Sequence, residues 1–303
     1  MIVGVDIGGT KIAVAGFDRD GDHVRRATAT VTARTPAFAG GTAILETVTD
    51  LVRAACGPAI PTAIGVGTAG VIDPAGSVAS ATDVIREWTG FPLGALLTER
   101  TGAPTTVVND VHAAAVAEAR IGADAGARTL LVVTVGTGIG GAVVIDGELH
   151  RGATGTAGSL GHIDVLAPER LATRRCSCGV EGHVEAMASG PALERRFAEM
   201  SGSPRPLREV AALAAAGDPV ALDVIAEGAR LLGHALASAN ALVDADTIVV
   251  GGGVAEIGDR YRAAVADAYR ERAMPGPRAA RVRAAALGVE ATLTGAALLA
   301  PAA

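Results

Sequence analysis

The sequence predicts an α/β fold on two observations. β-Branched runs entering glycine turns alternate with segments that carry one apolar stripe at helical spacing, the pattern of strands covered by helices. The opening unit of strand, glycine turn, strand, Asp-Gly hairpin and strand also recurs from residue 129, which predicts a duplicated architecture.

The elements follow in order. "MIVGVDIGG" is a strand running into a turn, and "TKIAVAGF" is the strand returning from it. Asp20-Gly21 predicts a hairpin, with a third strand from His23 to Val31. A glycine-opened helix is expected over 41–56, a strand over 62–67, and a strand over 105–109 that feeds the helical "VHAAAVAEARI". "TLLVVTVGTGIGGAVVIDGELHRG" then repeats the opening, with its hairpin at Asp146-Gly147. A loop region over 151–183 precedes helices over 184–199, 207–216 and 219–242. The chain closes with a strand at 246–253, a helix at 255–273, a Pro/Gly break at 275–277, a strand at 281–287 and a helix at 290–300.

At 303 residues the chain has room for two domains of about 150 residues each. The expected division is a small domain over 1–118, completed by the C-terminal helix 290–303, and a larger one over 119–289. No charged or serine-rich linker separates them, so they are expected to meet along a cleft. A formal charge of −6 excludes the basic field of a phosphate-tracking nucleic-acid binder. Aromatic residues at 2% cannot build a base-stacking surface, and 50% hydrophobic residues exclude wholesale disorder. Without a signal-like apolar opening or a membrane-length run, the expected location is the cytoplasm and no membrane partner is expected.

Three glycine clusters suit a nucleotide. Gly8, Gly9 and Thr10 offer backbone N–H groups to phosphate, and Asp6 before them is placed to hold Mg²⁺ through water. Gly136, Thr137, Gly138 and Gly140 offer a second nest. The G-x-G-x-x-G spacing there leads into another strand, where a dinucleotide fold needs a helix. Gly251, Gly252 and Gly253 follow a strand and admit close backbone approach to a flat ring. Lys11, the single lysine of the chain, reads either as a phosphate contact or as a solvent-facing strand residue.

Asp110 stands where a strand ends and a helix begins, next to Asn109. It reads either as a helix cap or as the carboxylate that takes a hydroxyl proton during phosphoryl transfer, with Asn109 orienting the same substrate. His162, Cys176, Cys178 and His183 offer two imidazoles and two thiolates for tetrahedral zinc, or else reduced cysteines packed under a loop. Glu185 points toward substrate or solvates the start of a helix.

With "DIGGTK" (6–11), "GTAGVID" (67–73), "NDVHAAAVAE" (109–118), "VGTGIGGAVVIDGELHRG" (135–152), "AGSLGHIDV" (157–165), "CSCGVEGHVEAMASG" (176–190) and "VVGGGV" (249–254), the chain resembles the ROK family of bacterial sugar kinases and related repressors. The resemblance covers Met1 to Ala300 and implies a duplicated actin-like, ribonuclease H-like ATPase fold, two domains around a cleft. It implies phosphoryl transfer from ATP–Mg²⁺ to the 6-hydroxyl of a hexose or amino sugar, as in glucokinases and N-acetylmannosamine kinases, and a homodimer. By position, Asp110 resembles the general base, and Asn109, His162 and Glu185 the sugar contacts. Gly70 and Val71 lie in the loop that approaches the sugar, and His162, Cys176, Cys178 and His183 resemble structural zinc ligands.

Several positions depart from the family pattern. Ser159 replaces the Glu of "AGExGH", which removes a carboxylate contact to the sugar ring. His183 replaces a usual Cys, and the gap between His162 and Cys176 is longer than usual, through "APERLATRR". Asp83 stands where relatives often carry Asn; it favours a cationic aminohexose such as kanosamine, or caps a loop. The repressor branch is disfavoured, because the first strand begins at Ile2 with no helix-turn-helix before it. A catalytically silent sugar-binding sensor is the alternative of a different class, and retention of Asp6, Asp110 and the glycine clusters argues against it.

Overall fold

A computed structural model describes residues 1–21, 23–82 and 84–302. The chain divides into two compact units: Met1–Gly122 with Arg151–Ala157 and Val289–Ala303, and Ala123–His150 with Gly158–Gly288.

The first unit contains β1 (Ile2–Ile7), β2 (Lys11–Asp20), β3 (His23–Arg26), β4 (Val31–Arg34), α1 (Gly41–Cys56), β5 (Ile64–Thr68), β6 (Val71–Ile72), β7 (Val78–Ser80), α2 (Leu93–Thr101), β8 (Thr105–Asn109) and α3 (Asp110–Ile121). Its sheet runs β3-β2-β1-β5-β8, with β4 also paired to β2. β1 is antiparallel to β2 and parallel to β5, which is parallel to β8. The expected single strand from His23 to Val31 is two strands, paired to opposite ends of β2. The chain turns between them because Ala27 and Thr28 both donate their N–H to Gly16 O, while Gly16 N–H donates to Thr28 Oγ1.

Side-chain alternation decides which helix covers which face. Val3, Val5 and Ile7 on β1 and Ile64 and Val66 on β5 pack in one core with α1 and α2. Gly4 of β1 and Gly65 and Gly67 of β5 face the other way, and the last helix, α10 (Ala291–Leu299), lies on that side. A Cβ at Gly65 would collide with Ala296 O, so glycine is what admits the α10 backbone onto the sheet. The end of α10 is then clamped by Arg19 of β2, whose guanidinium donates to the carbonyls of Ala297, Leu298, Ala300 and Pro301 at 2.8–3.1 Å. Two of these carbonyls belong to the last turn of α10, where intrahelical partners run out, and two follow the helix.

The second unit contains β9 (Thr129–Val135), β10 (Ile139–Ile145), β11 (Glu148–His150), α4 (Glu169–Ala172), α5 (Glu185–Ala188), α6 (Gly190–Ser201), α7 (Leu207–Ala215), α8 (Pro219–Val243), β12 (Thr247–Gly251), α9 (Asp259–Arg272) and β13 (Arg281–Ala284). Its sheet, β11-β10-β9-β12-β13, repeats the order and relative strand directions of the first sheet. The duplication expected from sequence is therefore a duplication of topology. Leu131, Val133 and Val135 of β9 share one core with Leu232 and Leu236 of α8 and Val265 and Tyr269 of α9. The helix expected over 184–199 breaks at Ser189, which is extended, and α6 restarts with Pro191 in its first turn. The helix expected over 255–273 is likewise interrupted at Gly258, whose φ is 148°.

Candidate active site

In the first unit, the parallel strands bring their C-terminal ends into register. Asp6 pairs with Gly67 of β5, and Thr68 pairs with Asn109 of β8. Ligands bind at such strand ends in open α/β sheets. The tight turn after β1 is closed by Gly8 N–H donating to Lys11 O at 3.0 Å. Thr35 braces it from outside, its hydroxyl donating to Gly8 O and its N–H to Thr10 O.

Asn109 caps α3. Its Oδ1 accepts from Val111 N–H and His112 N–H at 2.9 and 3.3 Å, while its Nδ2 donates to Gly70 O at 3.0 Å. One amide thus fixes both the helix start and the loop that carries Gly70 and Val71. The cap belongs to Asn109, which leaves Asp110 as the first residue of the helix. The Asp110 carboxylate accepts from Val111 N–H at 2.9 Å, yet burial outweighs that bond and holds its pKa above the usual carboxylate range. Asp6 is raised to about 7, first by burial and then by the charge of Asp110. Lys11, exposed at the start of β2, pulls in the opposite direction. Two carboxylates far apart in sequence therefore share one low-dielectric site.

Sequence reading missed several supports of this site. His112 is buried with its Nε2 3.3 Å from Ala157 O, which ties the segment 151–157 to α3. Its position in the "NDVH" run was a usable signal. Thr35 and Thr292, whose hydroxyl donates to Asp110 O at 3.4 Å, carry no local signature. A cavity of about 360 Å³ lies beside Asn109 and His112, with Arg151 and the β6–β7 turn on its other walls; neither Asp6 nor Asp110 lines it. Asp83 lies outside the described residues.

In the second unit, two of the glycine clusters meet. Val254 N–H donates to Val135 O at 2.9 Å, seating the 251–254 turn against the start of the 136–138 turn. Gly136 N–H closes on Gly138 O, while the N–H groups of Thr137 and Gly138 have no acceptor among the described residues. Successive N–H groups left free at a turn suit an anion.

A compact loop gathers His162, Cys176, Cys178 and His183, whose donor atoms all lie within 4.8 Å of one another. Asp164 and His183 form a β-bridge, which sets the two imidazoles side by side. Cys176 N–H donates to Val180 O and Gly179 N–H to Cys176 O, curling Cys178 back. The Nδ1 atoms are 3.4 Å apart, Cys176 Sγ is 3.6 Å from His162 Nδ1, and Cys178 Sγ is 3.2 Å from His183 Nδ1. A tetrahedral site with metal–N bonds near 2.05 Å and metal–S bonds near 2.3 Å has edges of about 3.3–3.8 Å. The donor set fits a divalent ion of that preference. Ser159 lies just upstream, its carbonyl accepting from His162 N–H at 3.1 Å.

The sequence profile of the ROK family matches residues 2–303. The chain belongs to the ROK family. Among solved structures, this ROK chain is similar to the ROK hexokinase from Thermus thermophilus, at 39% identity and a TM-score of 0.86, over 98% of this chain and 96% of that one. It is similar to a ROK family glucokinase from Streptomyces griseus in complex with glucose and AMPPNP, at 35% identity and a TM-score of 0.81, over 99% and 98%. The N-acetylmannosamine kinase of Citrobacter koseri is 35% identical over 98% of this ROK chain and 97% of its own length. No described helix of the chain is long and apolar enough to cross a membrane.

Proposed function

We propose that this ROK-family sugar kinase transfers the terminal phosphoryl group of ATP to the 6-hydroxyl of a hexose or amino sugar, with Asp110 as the general base. The observation that carries the reading is the pair Asp6 and Asp110, held at the C-terminal edge of one sheet with both proton affinities raised. A carboxylate of raised pKa is a stronger base toward an attacking hydroxyl than a free one. Asn109 keeps Asp110 on the first turn of α3 and holds the Gly70–Val71 loop at the acceptor. In the second unit, His162 and Glu185 contact the sugar, and the turns at 136–140 and 251–253 hold phosphates and adenine. Mg²⁺, when bound with the nucleotide, neutralises charge on the transferring group, and Asp6 is the residue that would hold it through water. Zinc fits the His162, Cys176, Cys178 and His183 donor set in a structural role, since four protein ligands leave no open position. A homodimer in the cytoplasm completes the reading.

Ser159, in place of a carboxylate, removes one partner for the sugar ring hydroxyls and argues against plain glucose as the preferred acceptor. The test is ADP release from ATP–Mg²⁺ over glucose, mannose, glucosamine, N-acetylglucosamine, N-acetylmannosamine and kanosamine, with wild type and Asp110→Asn side by side. One sugar is expected to give strong turnover, reduced about 10²–10⁴-fold in D110N with nucleotide binding retained. Near-normal turnover in D110N refutes the base assignment. Folded, metal-loaded protein that turns over no sugar refutes the acceptor class.

A further inference from the structure

Glu185 has three hydrogen-bond partners, and they lie in two different places. Its Oε2 accepts from Ile139 N–H, at the end of the 136–138 glycine turn, at 3.0 Å. Its Oε1 accepts from Ser177 Oγ at 2.7 Å and from Cys176 Sγ at 3.3 Å, both in the loop that carries the metal-type donors. The approach to the turn is close: a Cβ at Gly138 would sit 2.7 Å from Glu185 Oε2, so the contact depends on glycine there. The same short segment grips the turn a second time, because Gly190 N–H donates to Gly136 O at 2.8 Å.

From this geometry we propose that Glu185 is a positioning residue that couples ion occupancy of the His162, Cys176, Cys178 and His183 loop to the shape of the 136–139 turn, and thereby to nucleotide affinity. The inference rests on the reading of that turn as a phosphate nest. Ordering the loop fixes Ser177, Ser177 fixes one carboxylate oxygen, and the other oxygen holds Ile139 N–H. When Cys176 ligates an ion its sulfur no longer donates, and the Ser177 hydroxyl keeps the connection. A residue that only touched sugar would leave nucleotide binding independent of the ion.

The experiment uses the full chain, zinc-loaded or stripped with a chelator, as wild type, Glu185→Ala, Glu185→Gln and Ser177→Ala. Hydrogen exchange of the peptide spanning 136–141 reports the turn directly, and titration with a non-hydrolysable ATP analogue reports affinity. In wild type, stripping is expected to speed exchange at this turn and weaken nucleotide binding about tenfold, the loss of one hydrogen bond to a charged group. Glu185→Ala is expected to show both effects already, with stripping adding little. Glu185→Gln keeps an oxygen for Ile139 and an amide for Ser177, and is expected to restore most of the affinity. Ser177→Ala, outside the proposed ligand contacts, is expected to weaken the dependence on the ion. Equal responses to stripping in wild type and Glu185→Ala overturn the coupling. Exchange that follows the ion while wild type binds no nucleotide retains the turn coupling and refutes the phosphate-nest reading with its link to affinity. Should Glu185→Ala fail to fold, Ser177→Ala decides by the same comparison.

Discussion

Replacing Asp6 with Asn is expected to stabilise the fold at alkaline pH while removing activity. In the folded protein Asp6 binds its proton up to about pH 7, against an ordinary 3.8. The folded state therefore holds a proton that the unfolded chain has released, and stability falls as pH rises through that window. The cost begins above the unfolded pKa and is complete above the folded one. Roughly three decades at about 1.4 kcal/mol each set a ceiling of about 4 kcal/mol, and residual exposure of Asp6 brings the expectation to about 2–4 kcal/mol. An amide has no proton to lose, so urea unfolding of D6N should match wild type near pH 4 and exceed it by that amount at pH 8. Taking the difference between the two proteins at each pH cancels the titrating groups that do not interact with Asp6. Parallel stability curves from pH 4.5 to 8.5 would show that Asp6 carries no raised pKa, and the paired-carboxylate site would fall with it. The trade of stability for a charged, partly desolvated site is what a functional carboxylate requires.

Other perturbations follow from the same contacts. Arg19→Ala removes the donors to four carbonyls at the end of α10 and should cost about 1–3 kcal/mol in urea unfolding, with little change in the affinity of any ligand. Gly65→Ala forces a methyl group against Ala296 O, and a loss of at least about 1–3 kcal/mol is expected; an unchanged midpoint would mean α10 does not sit on β5 as described. Purified protein should carry about one zinc per chain by elemental analysis, and Cys178→Ser should lower that content sharply, because the neutral hydroxyl is a poor ligand. Burial, followed by the nearby Glu185 charge, lifts the Cys176 thiol to about 11, so metal uptake is expected to release protons and to weaken as pH falls.

Much of the local structure was legible in residues that neighbour one another. Alternation in "MIVGVDI" specifies a strand with Asp6 on the opposite side from Val3, Val5 and Ile7, and the Asp146-Gly147 pair specifies a hairpin. The recurrence at 129 marked a second copy, and the sheets share one order. The grouping of His162, Cys176, Cys178 and His183 was readable as well, because short-range turns and one bridge gather those donors. These features depend on φ/ψ preference and side-chain period, which act over a few residues.

What tertiary structure decided lies between distant segments. The fold gave the helix cap to Asn109 and set the Asp110 charge against Asp6. The fold joined the Glu185 carboxylate to Ile139 and Ser177, partners that no local pattern names. The strand expected through Val31 was divided because Gly16, on a neighbouring strand, collects the N–H groups of Ala27 and Thr28. A pKa depends on which charges share a dry volume, and a helix position depends on which backbone can approach another. Neither quantity exists until sheet order and packing bring remote residues together.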